Sequence, residues 1–172
     1  MLYLMLKLRD RENGKRDLAA YLGSLRNADL FVVSGSGGFS DGTRAWNIAI
    51  LNTIEDAIHR NIPVALFGQG MGPLTDADVL SRAKKVFPFV NLIALRGGRD
   101  GMALLESLGV DSSRVLTTGD EAIELAYEAR PAELGQGLGI NLRVATYSNV
   151  EPYMIERIKL ILHEFAMFHS AP

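Results

Sequence analysis

Apolar runs of strand length alternate with stretches of helical periodicity along almost the whole chain, and that alternation restricts the fold to βα units on a parallel sheet. The apolar start, Met1 to Leu8, reads as a buried strand. It is broken by Lys7 and stops at Arg9-Asp10-Arg11, far short of the roughly 20 apolar residues that span a bilayer, and no signal peptide is expected. Lys15 to Arg26 sets Leu18, Ala19, Leu22 and Leu25 on one helical face. Leu30 to Ser34 is the next strand, and Arg44 to Arg60 is a helix with the stripe Ile48, Leu51, Ile54, Ile58, stopped at Asn61-Ile62-Pro63. Val64 to Phe67 is a strand, after which Thr75 or Asp76 caps a helix through Phe87. Leu92 to Leu95 is a strand, the helix from about Asp100 to Leu108 closes on Gly109, and Arg114 to Thr117 precedes a short helix ending at Ala126.

The rhythm breaks over Tyr127 to Gln136, which has the character of a connection. A single unit follows, strand Leu138 to Leu142 and helix Val150 to Met167. The expected organisation is therefore a Rossmann-like α/β domain over residues 1–128, with helices on both faces of its sheet, and a connection plus one βα unit over residues 129–172. One such unit cannot make its own core, so it is either an addition to the first sheet or the start of a second domain.

Charge and cysteine content narrow the function. Eighteen basic against 20 acidic residues leave a net charge of −2, without the basic excess that nucleic-acid binding needs. The absence of cysteine excludes disulfides and thiolate metal sites and makes the cytoplasm the expected setting. Neither a metal nor a cofactor is expected.

In an open parallel sheet the ligand crevice lies beyond the carboxyl ends of the strands, so the residues after each strand are the candidates. Gly35-Ser36-Gly37-Gly38 can close bare main-chain amides around an anion, or simply make a tight turn. Gln69 stands among alternate glycines in Gly68-Gln69-Gly70-Met71-Gly72-Pro73 and could orient a hydroxyl, unless those glycines only let a helix pack close to the sheet. Arg96 directly follows a strand, where a guanidinium can grip a carboxylate or phosphate bidentately or pair with Asp120. Asp120 occupies the corresponding place after the next strand, where it caps a helix or binds a sugar hydroxyl. No histidine follows a strand: His59 lies near a helix end, and His163 and His169 fall on or after the last helix.

These loops in this order resemble the polysaccharide pyruvyl transferase family, from about Ala28 to the last helix. Ala28 to Gly38 is similar to the family's strand and triple-glycine loop, with Ser36 in place of the middle glycine, and Gly68 to Leu74 matches its second glycine motif. Arg96 with Leu104 to Val110, and Thr118-Gly119-Asp120, are similar to its arginine, helix and aspartate turn. The resemblance implies a GT-B arrangement of two Rossmann-like domains and transfer of a pyruvyl group from phosphoenolpyruvate to a sugar as a ketal, in cell-surface polysaccharide biosynthesis. On that reading Arg96 is catalytic, and Gly35, Ser36, Gly37, Gly38, Gln69, Gly70 and Asp120 bind substrate. The family's arginine-hydrophobic-histidine motif has no counterpart here, since Leu162-His163-Glu164 sits mid-helix without a preceding arginine. A partial family member, incomplete as an isolated chain, is therefore expected. The alternative is a noncatalytic module that pairs with another chain, or forms a homo-oligomer, through the apolar stripe Ile155, Ile158, Ile161, Leu162, Phe165.

Overall fold

A computed structural model describes residues 14–97, 99–120, 122–133, 135, 137, 139–141 and 151–169. The expected strand over Met1 to Leu8 lies outside the described residues, as do the ends of the expected strand Leu138 to Leu142, whose described residues 139–141 are not in a strand.

Helix α1 (Gly14–Arg26) precedes strand β1 (Phe31–Phe39). Then come α2 (Arg44–His59), β2 (Val64–Met71), α3 (Ala77–Val86), β3 (Leu92–Leu95), α4 (Arg99–Ser107), β4 (Val115–Thr117) and α5 (Ala122–Glu128). The four strands form one sheet in the order β1-β2-β3-β4, and all three pairings are parallel. Both this Rossmann-like class and the order of its elements follow the sequence pattern. The helix ends follow local chemistry. The Asp76 carboxylate accepts from the amides of Asp78 and Val79 at 3.1 and 3.0 Å and caps α3. At the other ends, α2 and α4 close alike: Ile62 N–H donates to Ala57 and Val110 N–H to Leu105, both at 3.0 Å, across Asn61 and Gly109 at φ 57° and 84°.

Packing explains why the sheet stays in place. Leu51 and Ile54 of α2, Val79 and Ala83 of α3, and Val64, Leu66, Ile93 and Leu95 of the strands are all fully buried in one cluster. Phe87, just after α3, stands edge-on to Phe39 at 5.1 Å between ring centroids. The burial of several such side chains, at about 1.5–3 kcal/mol each, is what offsets the loss of chain entropy.

The chain divides into two compact units, 1–125 and 126–172. In the second, helix α6 (Pro152–Phe168) starts with proline at its first position and carries the Lys159–Glu156 pair at 2.7 Å. No helix among the described residues is long and apolar enough to cross a membrane.

Two strands run further than the sequence pattern indicates. β1 continues through Gly35 to Gly38, and β2 through Gly68 to Met71, so both glycine segments are strand rather than loop. Each extends because the other does. Ser36 pairs with Gln69 and Phe39 with Met71, and past the ladder the amide of Gly72 donates to Phe39 at 2.9 Å. A parallel partner supplies the missing side of each ladder, a long-range effect that local composition does not contain.

Candidate functional site

The carboxyl ends of β2, β3 and β4 are stitched together by main-chain bonds, and these place the charged groups. β2 gains one residue against β3 between Leu66 and Gln69, where the register passes from Leu66↔Ile93 to Gln69↔Leu95. The extra residue is accommodated by Gly68 at φ 59°, a left-handed conformation that glycine adopts without steric cost. Beyond it, Arg96 N–H donates to the Gln69 carbonyl and Thr118 N–H to the Leu95 carbonyl, both at 3.0 Å. Asp41, after β1, reaches the loop after β2. Its carboxylate accepts from the amides of Thr75 and Asp76 at 2.7 and 3.1 Å and from the Thr75 hydroxyl at 2.9 Å.

Arg96 and Asp120 come together, as one reading of the sequence had them. Arg96 Nη1 donates to Asp120 Oδ2 at 3.0 Å, with the two side chains 33% and 39% exposed, so solvent still reaches the pair. The other Asp120 oxygen accepts from Ala122 N–H at 3.0 Å, so one carboxylate both caps α5 and orients the guanidinium. The Ala122 amide and then Arg96 hold the Asp120 carboxyl below the usual carboxylate range.

Next to this pair is a cavity of about 430 Å³ at the strand ends. Arg96 lines it together with Gly70, Gly72, Gly97 and Gly101, so much of its wall is main chain with no side chain in the way. Arg99, in the first turn of α4, adds a second guanidinium, and Asp100 a carboxylate. α4 lies this close because of Gly101: a Cβ there would stand 3.2 Å from Leu95 Cδ1, tighter than ordinary van der Waals contact. A neighbouring cavity of about 370 Å³ shares Met71, Gly72 and Asp100 and is bounded by Leu74 and Leu104.

The other expected site residues are placed differently. Gly70 lines the cavity, but its neighbour Gln69 is fully buried, and its amide nitrogen donates to the carbonyls of Val33 and Phe67 at 3.0 and 2.7 Å. Gly35, Ser36, Gly37 and Gly38 run within β1, one strand over from β2. Arg99 was not anticipated, because its segment reads as a glycine-rich turn leading into a helix. A second cation three residues after Arg96 was the available signal. His59 ends α2 and does not line the cavity, while His163 lies in α6 and His169 follows it.

Arg96 and Arg99 give the cavity lining two groups that can pair with anions, beside the Asp100 carboxylate. The glycine main chain leaves room for close contact. Against known proteins, the family model described as polysaccharide pyruvyl transferase matches residues 2–167, nearly the whole chain. No curated protein and no solved structure matches.

Proposed function

The chain belongs to the polysaccharide pyruvyl transferase family, and from that premise we propose that its strand-end cavity binds phosphoenolpyruvate for transfer of the pyruvyl group to a sugar of a cell-surface polysaccharide. The supporting observation is that Arg96 and Arg99 line one cavity with glycine main chain. Phosphoenolpyruvate carries a carboxylate and a phosphate, and a guanidinium can meet either through two parallel N–H bonds.

The chemistry assigns these groups a role. A proton adds to the methylene carbon, turning it into a methyl group, and positive charge develops on the neighbouring carbon. A sugar hydroxyl adds there, the bond to the phosphate oxygen breaks, and a second hydroxyl closes the ketal. The two hydroxyl protons balance the one taken up by the methylene carbon and the one that leaves on hydrogen phosphate. Fixed cations favour departure of the phosphate, because they meet its growing charge without reorganising. The cavity supplies binding and charge stabilisation. We place the reaction in the cytoplasm, where the donor is made. We likewise assign residues 1–128 to the donor-binding domain of a two-domain GT-B arrangement.

Titration calorimetry with phosphoenolpyruvate tests this. The full chain should bind it, and Arg96→Ala and Arg99→Ala should each weaken binding about tenfold or more, the loss of a charge-assisted bond worth about 1.5–3 kcal/mol. Binding that neither substitution changes would overturn the assignment.

One observation favours a second reading, a noncatalytic module that pairs with another chain or a second copy through α6. Ile161 and Phe165 are 65% and 49% exposed. Sedimentation of a strictly monomeric chain that binds no apolar dye would remove its support.

A further inference from the structure

Gln69 is fully buried at the end of β2, and its hydrogen bonds run in three directions. Its amide nitrogen donates one proton to Val33 O on β1 and the other to Phe67 O on its own strand, at 3.0 and 2.7 Å. Its main-chain carbonyl accepts the amide of Arg96 at 3.0 Å. The orientation of the amide is determined, since exchanging its two ends would set an oxygen against two carbonyl oxygens.

Its place in the ladder is equally specific. On the β3 side the register slips by one residue between Leu66 and Gln69, and on the β1 side it slips between Ser36 and Phe39. Gln69 thus stands between two irregularities, paired with Ser36 on one side and Leu95 on the other. Meanwhile its Oε1 has no donor among the described residues, which for a buried acceptor is unfavourable. A side chain chosen for packing alone would avoid that cost.

We propose that Gln69 is a positioning residue: its buried amide braces the bulged end of β2 against β1 and so fixes the carbonyl that carries Arg96 at the cavity. It does not line the cavity and is not expected to touch the ligand. In its consequence for binding, though not in the brace itself, the inference rests on the ligand reading above.

Two measurements on the full chain separate the brace from the ligand. In amide hydrogen exchange without ligand, Gln69→Leu should exchange faster at Gly70 to Gly72 and at Arg96 while α2 and α3 keep wild-type protection; unchanged exchange there overturns the brace. In titration with phosphoenolpyruvate, Gln69→Leu should bind about tenfold more weakly than wild type. Gln69→Glu should be weak at about pH 8 and recover relative to wild type towards about pH 5.5, as the buried carboxyl regains one proton to donate.

A constant ratio of Gln69→Glu to wild-type affinity across that range would overturn the inference. If Gln69→Leu does not fold, that profile and the exchange of Gln69→Glu carry the test. If wild type binds no phosphoenolpyruvate, the ligand reading fails and exchange alone decides the brace. If wild type binds, Arg96→Ala does not, and Gln69→Leu binds normally, the brace fails and the ligand reading stands.

Discussion

Helices α2 and α6 are 16 and 17 residues long and carry isoleucine and leucine at the same helical spacing, yet they meet different environments. In α2, Leu51, Ile54 and Ala57 are fully buried in the cluster that includes β1, β2 and α3. In α6 no side chain is buried. Met154, Ile155, Ile158 and Leu162 are half-buried at most, and Leu160, Ile161 and Phe168 are 67%, 65% and 83% exposed. An apolar stripe makes a helix amphipathic, but only a surface facing that stripe turns it into stability. For α2 the parallel sheet of residues 31–117 is that surface.

The sharpest way to break this contrast is to truncate α2. Leu51→Ala should destabilise the protein by about 2–5 kcal/mol, the transfer term plus the cavity left behind. Urea unfolding followed by circular dichroism would measure it, and a loss under about 1 kcal/mol would mean the site collapses freely or is looser than its burial indicates.

Acid should produce a graded and smaller loss in residues 1–125. Four carboxylates among the described residues there are held below their usual range: Asp41 chiefly by the Thr75 amide, Asp76 by Val79, Asp111 by Ser113 and Asp120 by Ala122. A depressed carboxylate contributes stability that is complete above its unfolded pKa, near about 3.9, and is lost as pH falls through the lower folded value. Melting temperature should therefore be steady from neutrality to about pH 5 and then fall below about pH 4. A melting temperature that is flat down to about pH 2.5 would show that these bonds persist in the unfolded chain.

The smallest effect is expected in α6. Ile161→Ala should change stability by no more than about 0.5 kcal/mol, as for an exposed position. A loss above about 1 kcal/mol in the same urea experiment would show Ile161 covered in solution and would bring the two helices closer than they look.

The strand-end region divides in the same way between what is local and what is not. Arg96 was legible because an arginine directly after an apolar strand of a parallel sheet stands at the carboxyl edge, where it is indeed found beside a cavity. Its pairing with Asp120 was one of the alternatives the sequence left open, since both residues follow adjacent strands. The glycine runs misled. Composition alone reads Gly35 to Gly38 and Gly68 to Met71 as loops, but each is held in strand by the other. With β2 extended and slipped by a residue, Gln69 is buried while Gly70 lines the cavity. Arg99 reached the cavity through a packing detail, the close approach of α4 at Gly101.

By itself the amino-acid sequence determined what depends on neighbours along the chain. The alternation of elements, the caps at Asp76, Asn61 and Gly109, and the position of an arginine at a strand end all follow from periodicity and local backbone chemistry. Only the tertiary structure decided how far β1 and β2 run, where the register slips, and which side chains turn inward. Those outcomes depend on hydrogen bonds and contacts between residues some thirty positions apart, such as Ser36 and Gln69, and one residue of slip between strands is enough to exchange a buried position for an exposed one.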